Sequence, residues 1–398
     1  MSRAYLLSRF LRQAPNYLLK QYFTEVGLLE TIDFDVKERD INAMCEAIMA
    51  LPESNRQQIE ADFRDIDALA SERGFRAVID EAAWHVRNNP QQHGRDQDLT
   101  QRLANFDGEH ERAMWVFLNR KVYWHGAMRF IEADIVAPSY WQKRKNLPKV
   151  DPRVDPAAVN DFAQALGTYL HVMRGRGVNC HVEPLRRNEL DYFFCFGQDY
   201  AQAPQEWVDG KLDRRPRNPT YEVIFIYSKD EGKLDTYSKG GKPEVPDLEV
   251  IFANVILGHK ELEPKTDDNR IYDLDVFKER NFSFDFQPDS QIEKVVVRSM
   301  RLTPRYGDKT EFTLKGDYNA DPKSVYEALL KLSQGASLDQ LQITRVELGV
   351  HVRRDGAMRP RTIPVALTHP NRCSLRYDGL DLVVRKMLAD SGIEPREP

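Results

Sequence analysis

Lysine and arginine side chains occur in short clusters along this chain, and such cations neutralise phosphate groups. Arginine is the more informative of the two, because its planar guanidinium pairs bidentately with phosphate or with guanine. Most clusters flank predicted strands or fall in predicted loops, including a Pro-containing loop at 211–217 and another at 353–361. If distant loops meet on one surface, they form a nucleic-acid interface. The candidate binding residues are Trp141, Lys143, Arg144, Lys145, Arg174, Arg176, Arg186, Arg187, Arg214, Arg215, Arg217, Arg353 and Arg354.

The same clusters have a simpler explanation. The chain has 57 lysine and arginine residues among 398, so short runs of cations arise by chance on a solvated surface. An aromatic neighbour, such as Trp141 beside Lys143, favours the binding interpretation, because aromatic rings and guanidinium groups stack on unpaired bases. The sequence leaves both explanations open.

A metal-dependent hydrolase or nuclease is the enzymatic alternative. Such a site needs carboxylates that converge to hold Mg²⁺ and orient a water molecule. Asp191, Glu222 and Glu189 are the candidate ligands, because they lie at or before two predicted strands. A Glu-x-Lys spacing would place both side chains on one face of a strand. That spacing fails after Glu222, where Ile224 takes the second position, so the sequence leans towards a protein without catalytic activity.

The other reactive-looking motifs have structural explanations. The acidic string around His110 lacks a second histidine four residues later, and acidic residues favour the first turn of a helix. Cys180 and His181 are neighbours on a predicted strand, where successive side chains point to opposite faces. The Gly-Gly pair inside 239–242 predicts a turn between a strand and a helix more strongly than a phosphate site. We predict no metal site and no cofactor.

Composition limits the function classes. The net charge is −5 and 30% of the residues are charged, which argues against a surface that grips nucleic acid everywhere. The sequence has no apolar stretch of about 18 residues, so it predicts no membrane-spanning helix. Arg3 and Arg9 interrupt the N-terminal segment, which reads as an amphipathic helix instead of a signal peptide. Four cysteines without paired spacing indicate a reducing compartment, so we expect a soluble, cytoplasmic protein.

Hydrophobic spacing predicts an α+β protein of several domains. Residues 1–136 show apolar residues at helical intervals, with Asp40 and Asp107 as predicted N-terminal caps. Residues 137–155 are basic and rich in proline, which predicts a connection. Asp155 and Pro156 then start a further helix.

Residues 156–398 are predicted to form an α+β domain, possibly subdivided near 260–270. Apolar and polar residues alternate at 282–286, at 311–318 and at 345–352, which predicts antiparallel strands packed on one face. Two helices interrupt the strands, and their predicted starts are Asp321-Pro322 and Asp378. Because helices and strands do not alternate regularly, the pattern favours an antiparallel sheet over a parallel one.

Together these patterns predict a non-catalytic binding protein that is a subunit of a larger assembly. The helical domain would dock a protein partner, and the β-rich domain would contact DNA or RNA through its arginine-bearing loops. The alternatives are a metal-dependent hydrolase and an adaptor that binds only proteins.

Overall fold

The computed structural model describes residues 5–28, 34, 41–208, 210–262, 272–306, 310–317, 321–335, 337–353, 360–377 and 379–394. It confirms the predicted α+β class, because helices dominate up to residue 135 and antiparallel sheets dominate after it. The domain boundaries themselves stay a prediction, and most of the proposed subdivision near 260–270 lies outside the described residues.

The N-terminal helices form because apolar residues recur on one side of each. In the fourth helix, for example, Ile59, Phe63, Ile66 and Leu69 are all buried, as the 3.6-residue period requires. These side chains share one core with the neighbouring helices. The helices are α1 (Leu7–Gln13), α2 (Asn16–Glu25), α3 (Asn42–Met49), α4 (Glu53–Leu69), α5 (Glu72–Asn88), α6 (Pro90–His93), α7 (Leu99–Ala104), α8 (Glu109–Asn119) and α9 (Lys121–Ile135).

The predicted helix caps have mixed outcomes. Asp155 caps its helix as predicted, since its Oδ1 accepts a hydrogen bond from the backbone N–H of Ala158 at 3.0 Å. The prediction for Asp107 is wrong, because Gly108 occupies the cap position of α8 without a side-chain hydrogen bond. The Glu111 carboxylate instead accepts from the backbone N–H of Asp107 at 2.9 Å. Asp40 and Asp378 lie outside the described residues.

The middle of the chain forms a five-stranded antiparallel sheet with the order β1-β7-β6-β3-β2 and a separate two-stranded hairpin, β4-β5. One face of the large sheet packs against α10 and α11, where the ring centroids of Phe225 and Phe252 are 5.1 Å apart. The other face packs against the N-terminal helices, where Phe130 meets Tyr192 at 5.3 Å. The elements are β1 (Gln142–Arg144), α10 (Pro156–Arg174), β2 (Cys180–Arg187), β3 (Leu190–Gln198), β4 (Gln205–Val208), β5 (Lys211–Arg214), β6 (Thr220–Ser228), β7 (Lys233–Ser238) and α11 (Val245–Val255).

The basic stretch at 137–155 contributes to this first sheet. Residues 142–144 form β1 and pair with β7, with Lys143 opposite Asp235. Trp141, Lys143 and Arg144 are buried there. A segment that resembles a connection in composition therefore supplies an edge strand and part of the core.

The last part of the chain forms a second five-stranded antiparallel sheet, with the order β12-β11-β10-β8-β9. Its inner face packs on α12, α13 and a 3₁₀ turn at Leu274–Lys278. The alternation at 345–352 correctly predicted a strand with one polar face. Of the two predicted helices, one begins at Ser324, shortly after Pro322, and the other begins at Gly379. The elements are β8 (Ile292–Pro304), β9 (Phe312–Lys315), α12 (Ser324–Ser333), β10 (Leu341–Val352), β11 (Arg361–Thr368), β12 (Arg372–Cys373) and α13 (Gly379–Asp390).

The strand predicted at 282–286 is wrong. This segment pairs with no strand among the described residues, and Phe282 and Phe284 instead cover Phe277, with ring centroids 5.0 and 5.9 Å from it. The alternating phenylalanine rings here pack over the edge of the hydrophobic core. The strand that does form nearby, β8, has the apolar run Val295–Val297, which obscures period-two alternation in the sequence.

Candidate nucleic-acid interface

A two-stranded hairpin, formed by β4 and β5, extends from the end of the first sheet. The chain leaves β3, forms the hairpin and returns to β6, and Gln202 and Arg217 close its base with two backbone hydrogen bonds of 2.8 and 2.9 Å. Gly210 lies in the turn with a φ of +71°, a value that glycine adopts without strain. Residues 211–214, predicted to be loop, are therefore a strand. We call this hairpin the ribbon.

Period-two alternation gives the ribbon two different faces. Trp207 stands opposite Leu212, and Gln205 stands opposite Arg214, so these four side chains share one face. Trp207 is 68% exposed and Leu212 is 55% exposed. Within β4 and β5, this face carries no carboxylate, and we call it the indole face.

The opposite face of the ribbon holds the acidic residues. Glu206 pairs with Asp213 across the strands, and Val208 pairs with Lys211. Arg217 and Glu206 form an ion pair of 3.0 Å, and Arg215 and Asp213 form one of 3.2 Å. A backbone hydrogen bond from Arg214, followed by the Arg215 side chain, lowers the pKa of Asp213. The two faces therefore differ in charge as well as in apolar character.

Arg214 is oriented by the ribbon backbone. Its Nε donates to the carbonyl oxygen of Ala203 at 3.1 Å, which fixes the guanidinium near the base of the indole face. Arg214 lies diagonally across from Trp207, because their cross-strand partners are two residues apart. Diagonal neighbours on a strand pair are within reach of long side chains, so the indole and the guanidinium share one exposed face.

Arg174 and Arg176 lie at the same end of the first sheet, near the base of the ribbon. The Arg176 guanidinium pairs with Asp199 and lies 3.9 Å from the ring centroid of Tyr221. Arg174 Nε lies 3.2 Å from Glu244 Oε1. Both carboxylates are buried, so these arginines stabilise the sheet end and hold the start of the ribbon in place.

The Gly-Gly pair at 240–241 forms the predicted turn between β7 and α11, and a carboxylate fills the space around it. Glu244 accepts hydrogen bonds from Tyr221 and from Ser238, the latter at 2.9 Å. A Cβ on Gly240 would collide with the Tyr221 hydroxyl and with Glu244. Burial and the bond to Glu244 raise the pKa of Tyr221 to about 12. Because Glu244 already occupies the turn, a phosphate would meet a negative charge there.

Three of the predicted binding residues are buried in ion pairs. Lys143 pairs with Asp235 and donates to the Tyr377 hydroxyl at 2.6 Å, and burial lowers the pKa of Lys143. Arg144 lies 3.2 Å from Glu249. Arg187 lies 2.8 Å from Asp80 and 3.0 Å from Asp134. With the buried Trp141, these side chains hold the layers of the protein together.

The remaining predicted residues lie elsewhere. Arg186 is at the opposite end of the first sheet, 3.2 Å from Glu189, and Lys145 follows β1 toward that end. Arg353 follows β10 in the second sheet and pairs with Glu293. Arg354 lies outside the described residues. The predicted cations therefore divide among separate places. Exposed aromatic rings accompany two of these groups: Trp207 lies on the ribbon, and Tyr200 lies 4.4 Å from the Arg176 guanidinium.

The candidate metal ligands do not converge. Asp191 lies on β3, and Glu222 lies on β6 opposite Phe196 of β3. Phe196 is five residues after Asp191, so the two acids are about 17 Å apart along the sheet at the rise of a strand. Because side chains alternate along a strand and five is an odd number of residues, Asp191 and Glu222 also point to opposite faces of the sheet. Burial raises the pKa of each, and Glu189 lies in an exposed turn. Since ligands lie about 2 to 2.6 Å from a metal ion, Asp191 and Glu222 cannot share one. Among the described residues, no three His, Cys, Asp or Glu side chains are placed to hold a metal.

Sequence patterns did not point to Trp207 or Leu212, although a signal for them exists. Asp209-Gly210 stands between Trp207-Val208 and Lys211-Leu212, and an Asp-Gly pair between short strands is a strong hairpin signal. The dense charges around it favoured a loop instead. In the described part of the chain, no helix has the length and apolar character needed to span a membrane.

Comparisons with protein-family models, with curated proteins and with solved structures find no match to this chain.

Proposed function

We propose that this is a non-catalytic binding protein that holds single-stranded nucleic acid on the indole face of the ribbon. The observation that carries the proposal is the 68% exposed Trp207, which shares with Arg214 a face that has no carboxylate in β4 or β5. An indole stacks on an unpaired base, and a guanidinium pairs with the adjacent phosphate. The ribbon supplies both groups from one two-stranded element.

Unpaired nucleic acid suits this face better than a duplex. Stacking on Trp207 needs a base whose flat surface is accessible, and duplex bases are stacked on each other. Leu212 lies directly across from Trp207 and extends the apolar area beneath a base. On the opposite face, Arg217 and Arg215 are already paired with Glu206 and Asp213, which leaves these arginines fewer donors for phosphates.

Stacking, more than charge, should supply the affinity. Within the ribbon, Glu206 and Asp213 pair with two of the four cations, Arg217 and Arg215, and the whole chain carries a net charge of −5. The dependence of affinity on salt should therefore be shallow, with a slope that reflects about one phosphate contact.

The direct test measures binding of oligothymidine and oligouridine to the purified full chain by fluorescence anisotropy. Trp207→Ala should weaken binding about 5-fold to 150-fold, the equivalent of the 1 to 3 kcal/mol that base stacking contributes. Trp207→Phe should recover part of the loss, because phenylalanine retains a flat ring. No binding at low salt, or equal affinity of Trp207→Ala and the unchanged protein, would refute the proposal.

A matched pair of variants separates the two faces of the ribbon. Arg214→Gln and Lys211→Gln remove one positive charge each from exposed positions of the same strand, but from opposite faces. Arg214→Gln should weaken binding severalfold, and Lys211→Gln should weaken it less. Equal losses would show that only net charge matters and would contradict a specific indole face.

We also propose that the protein acts in the cytoplasm as a subunit of a larger assembly. Cys180 and Cys195 lie on one face of the first sheet as free thiols, which a reducing compartment preserves. Leu6, Met49 and Val122 of the helical region are exposed and offer apolar contacts to a protein partner. Leu6→Asp and Met49→Asp should release such a partner when the protein is isolated from its host, and retention of the same partner by both variants would count against a role for these residues.

A further inference from the structure

Among the described residues, no helix packs on one of the two faces of the second sheet. Its inner face is buried against α12 and α13 through residues such as Leu348 and Val350, so the alternate residues point outward. On β10 the outward residues include Arg345, Glu347 and His351. The side chains of Arg301 and Arg345 are 41% and 40% exposed. We call this surface the outer face.

Two β-bulges place arginines on the outer face. Ser299 pairs with Glu347 and Val297 with Leu348, so Arg298 is an extra residue in β8. Its guanidinium lies over Gly349, where a Cβ would be 2.6 Å from Arg298 Nε. A second irregularity, at Thr344, brings Arg345 opposite Arg301. Bulges re-aim side chains and are frequent beside functional sites.

Like charges face each other across two strands on the outer face. Arg301 and Arg345 are direct cross-strand neighbours, and like charges at such positions repel. Lys315 pairs with Ser299 in the adjoining row, and Lys294 extends the cationic stripe along β8. Ser299, Arg301, Thr313, Lys315, Arg345 and Glu347 line a shallow depression of about 710 Å³. An anion in this depression would relieve the repulsion.

The carboxylates on this surface orient the arginines without enclosing them. Glu347 accepts hydrogen bonds from Ser299 at 2.9 Å and from Arg345 at 2.9 Å, and these donors lower the pKa of Glu347. Arg301 lies 3.4 Å from Glu311. Because these pairs are exposed, solvent screens them, and each arginine retains donors for a further anion.

We propose that the outer face binds the phosphodiester backbone of a double helix. The outward positions of β8 to β11 include no Phe, Tyr or Trp in the described residues, so this surface offers nothing on which an unpaired base can stack. It offers cations and hydroxyl donors in rows, which suit the phosphates on the outside of a duplex. The stripe from Lys294 to Arg301 covers about 20 Å at the rise of a strand, long enough to contact several phosphates.

The outer face and the ribbon are separate proposed binding sites, and one experiment distinguishes between them. The chain of 398 residues is titrated with DNA and RNA duplexes of about 20 base pairs, longer than the stripe, and with oligothymidine. The test variant is Arg301→Gln with Arg345→Gln. The control is Lys323→Gln with Lys331→Gln, which removes the same charge from exposed residues at α12, on the opposite side of the sheet.

The test variant should weaken duplex binding at least about tenfold, as expected for lost charge-assisted hydrogen bonds, and reduce the salt slope by about two. Oligothymidine binding should change little in the test variant, and duplex binding should change little in the control. Failure of the unchanged protein to bind either duplex at low salt would overturn the inference. Equal losses in test and control variants would also overturn it, and Trp207→Ala reports separately on the ribbon.

Discussion

In the part of the chain that the structure describes, helices cover both faces of the first sheet and one face of the second. In the first, Arg187 is 1% exposed and lies between Asp80 and Asp134. In the second, Arg345 is 40% exposed and stands opposite another arginine. The same residue type therefore holds layers together in one sheet and remains accessible in the other. Whether an arginine is structural or accessible therefore depends on whether a helix layer packs over it, more than on how many cations lie near it in the sequence.

The largest effect should follow the loss of the Arg187 ion pairs. Arg187→Met leaves the buried Asp134 without its cation, and breaking a buried pair from one side costs about 3 to 5 kcal/mol. Arg345→Met, the matched change on the open sheet, should cost less than about 1 kcal/mol. Urea unfolding of both variants measures the difference in the free energy of unfolding. Similar values for the two would remove the distinction between the sheets.

A pH effect of intermediate size should arise in the helical layer that covers the first sheet. Burial raises the pKa of Glu81 to about 7, and its Oε1 lies 3.1 Å from His85 Nε2. Burial also lowers the pKa of His85, so both groups favour their neutral forms. A raised carboxyl pKa stabilises the fold fully below the unfolded value of 4.5 and loses this contribution as pH rises through about 7.

Glu81→Gln should therefore abolish a decline in stability of up to about 3 kcal/mol between these pH values. Unfolding free energies of the variant and the unchanged protein across this range give the measurement. A decline that persists in Glu81→Gln would assign it to other groups.

The smallest effect should come from Gly349→Ala on the outer face. The new methyl group would lie 2.6 Å from Arg298 Nε, and the flexible end of Arg298 can move aside into solvent. We expect the free energy of unfolding to change by less than about 1 kcal/mol. Duplex affinity should fall severalfold, because Arg298 leaves its place in the stripe. Unchanged duplex affinity would limit the interface to the other cations of the face.

Local patterns in the sequence predicted much of the fold. Alternation at 345–352 specified a strand with an inner and an outer side, and Asp155 correctly predicted the start of α10. The alternation of Phe282 and Phe284 led to a wrong strand prediction, because an extended segment alternates in the same way whether or not a partner strand is present. Pairing partners lie far away in sequence, and period two does not reveal them.

The site was less predictable, for the same reason. Arg187 looks like a surface cation beside Arg186, and its buried partner Asp134 is 53 positions away. Lys143 and Asp235 are 92 positions apart. By contrast, Trp207 and Arg214 are close in sequence and lie beside an Asp-Gly pair, so their face could have been inferred from a hairpin prediction. Elements formed by neighbouring residues can be predicted from the sequence, whereas burial by residues far away in the sequence cannot.

Tryptophan fluorescence during a titration with oligothymidine tests the central claim most directly. Of the five tryptophans, Trp207 is the strongly exposed one, and Trp115 and Trp141 are each 8% exposed. The proposal predicts that oligothymidine quenches the fluorescence, and that Trp207→Phe loses the quenching while the protein stays folded. Absence of quenching at saturating oligothymidine, or the same quenching in Trp207→Phe, would contradict the binding of unpaired bases on the indole face.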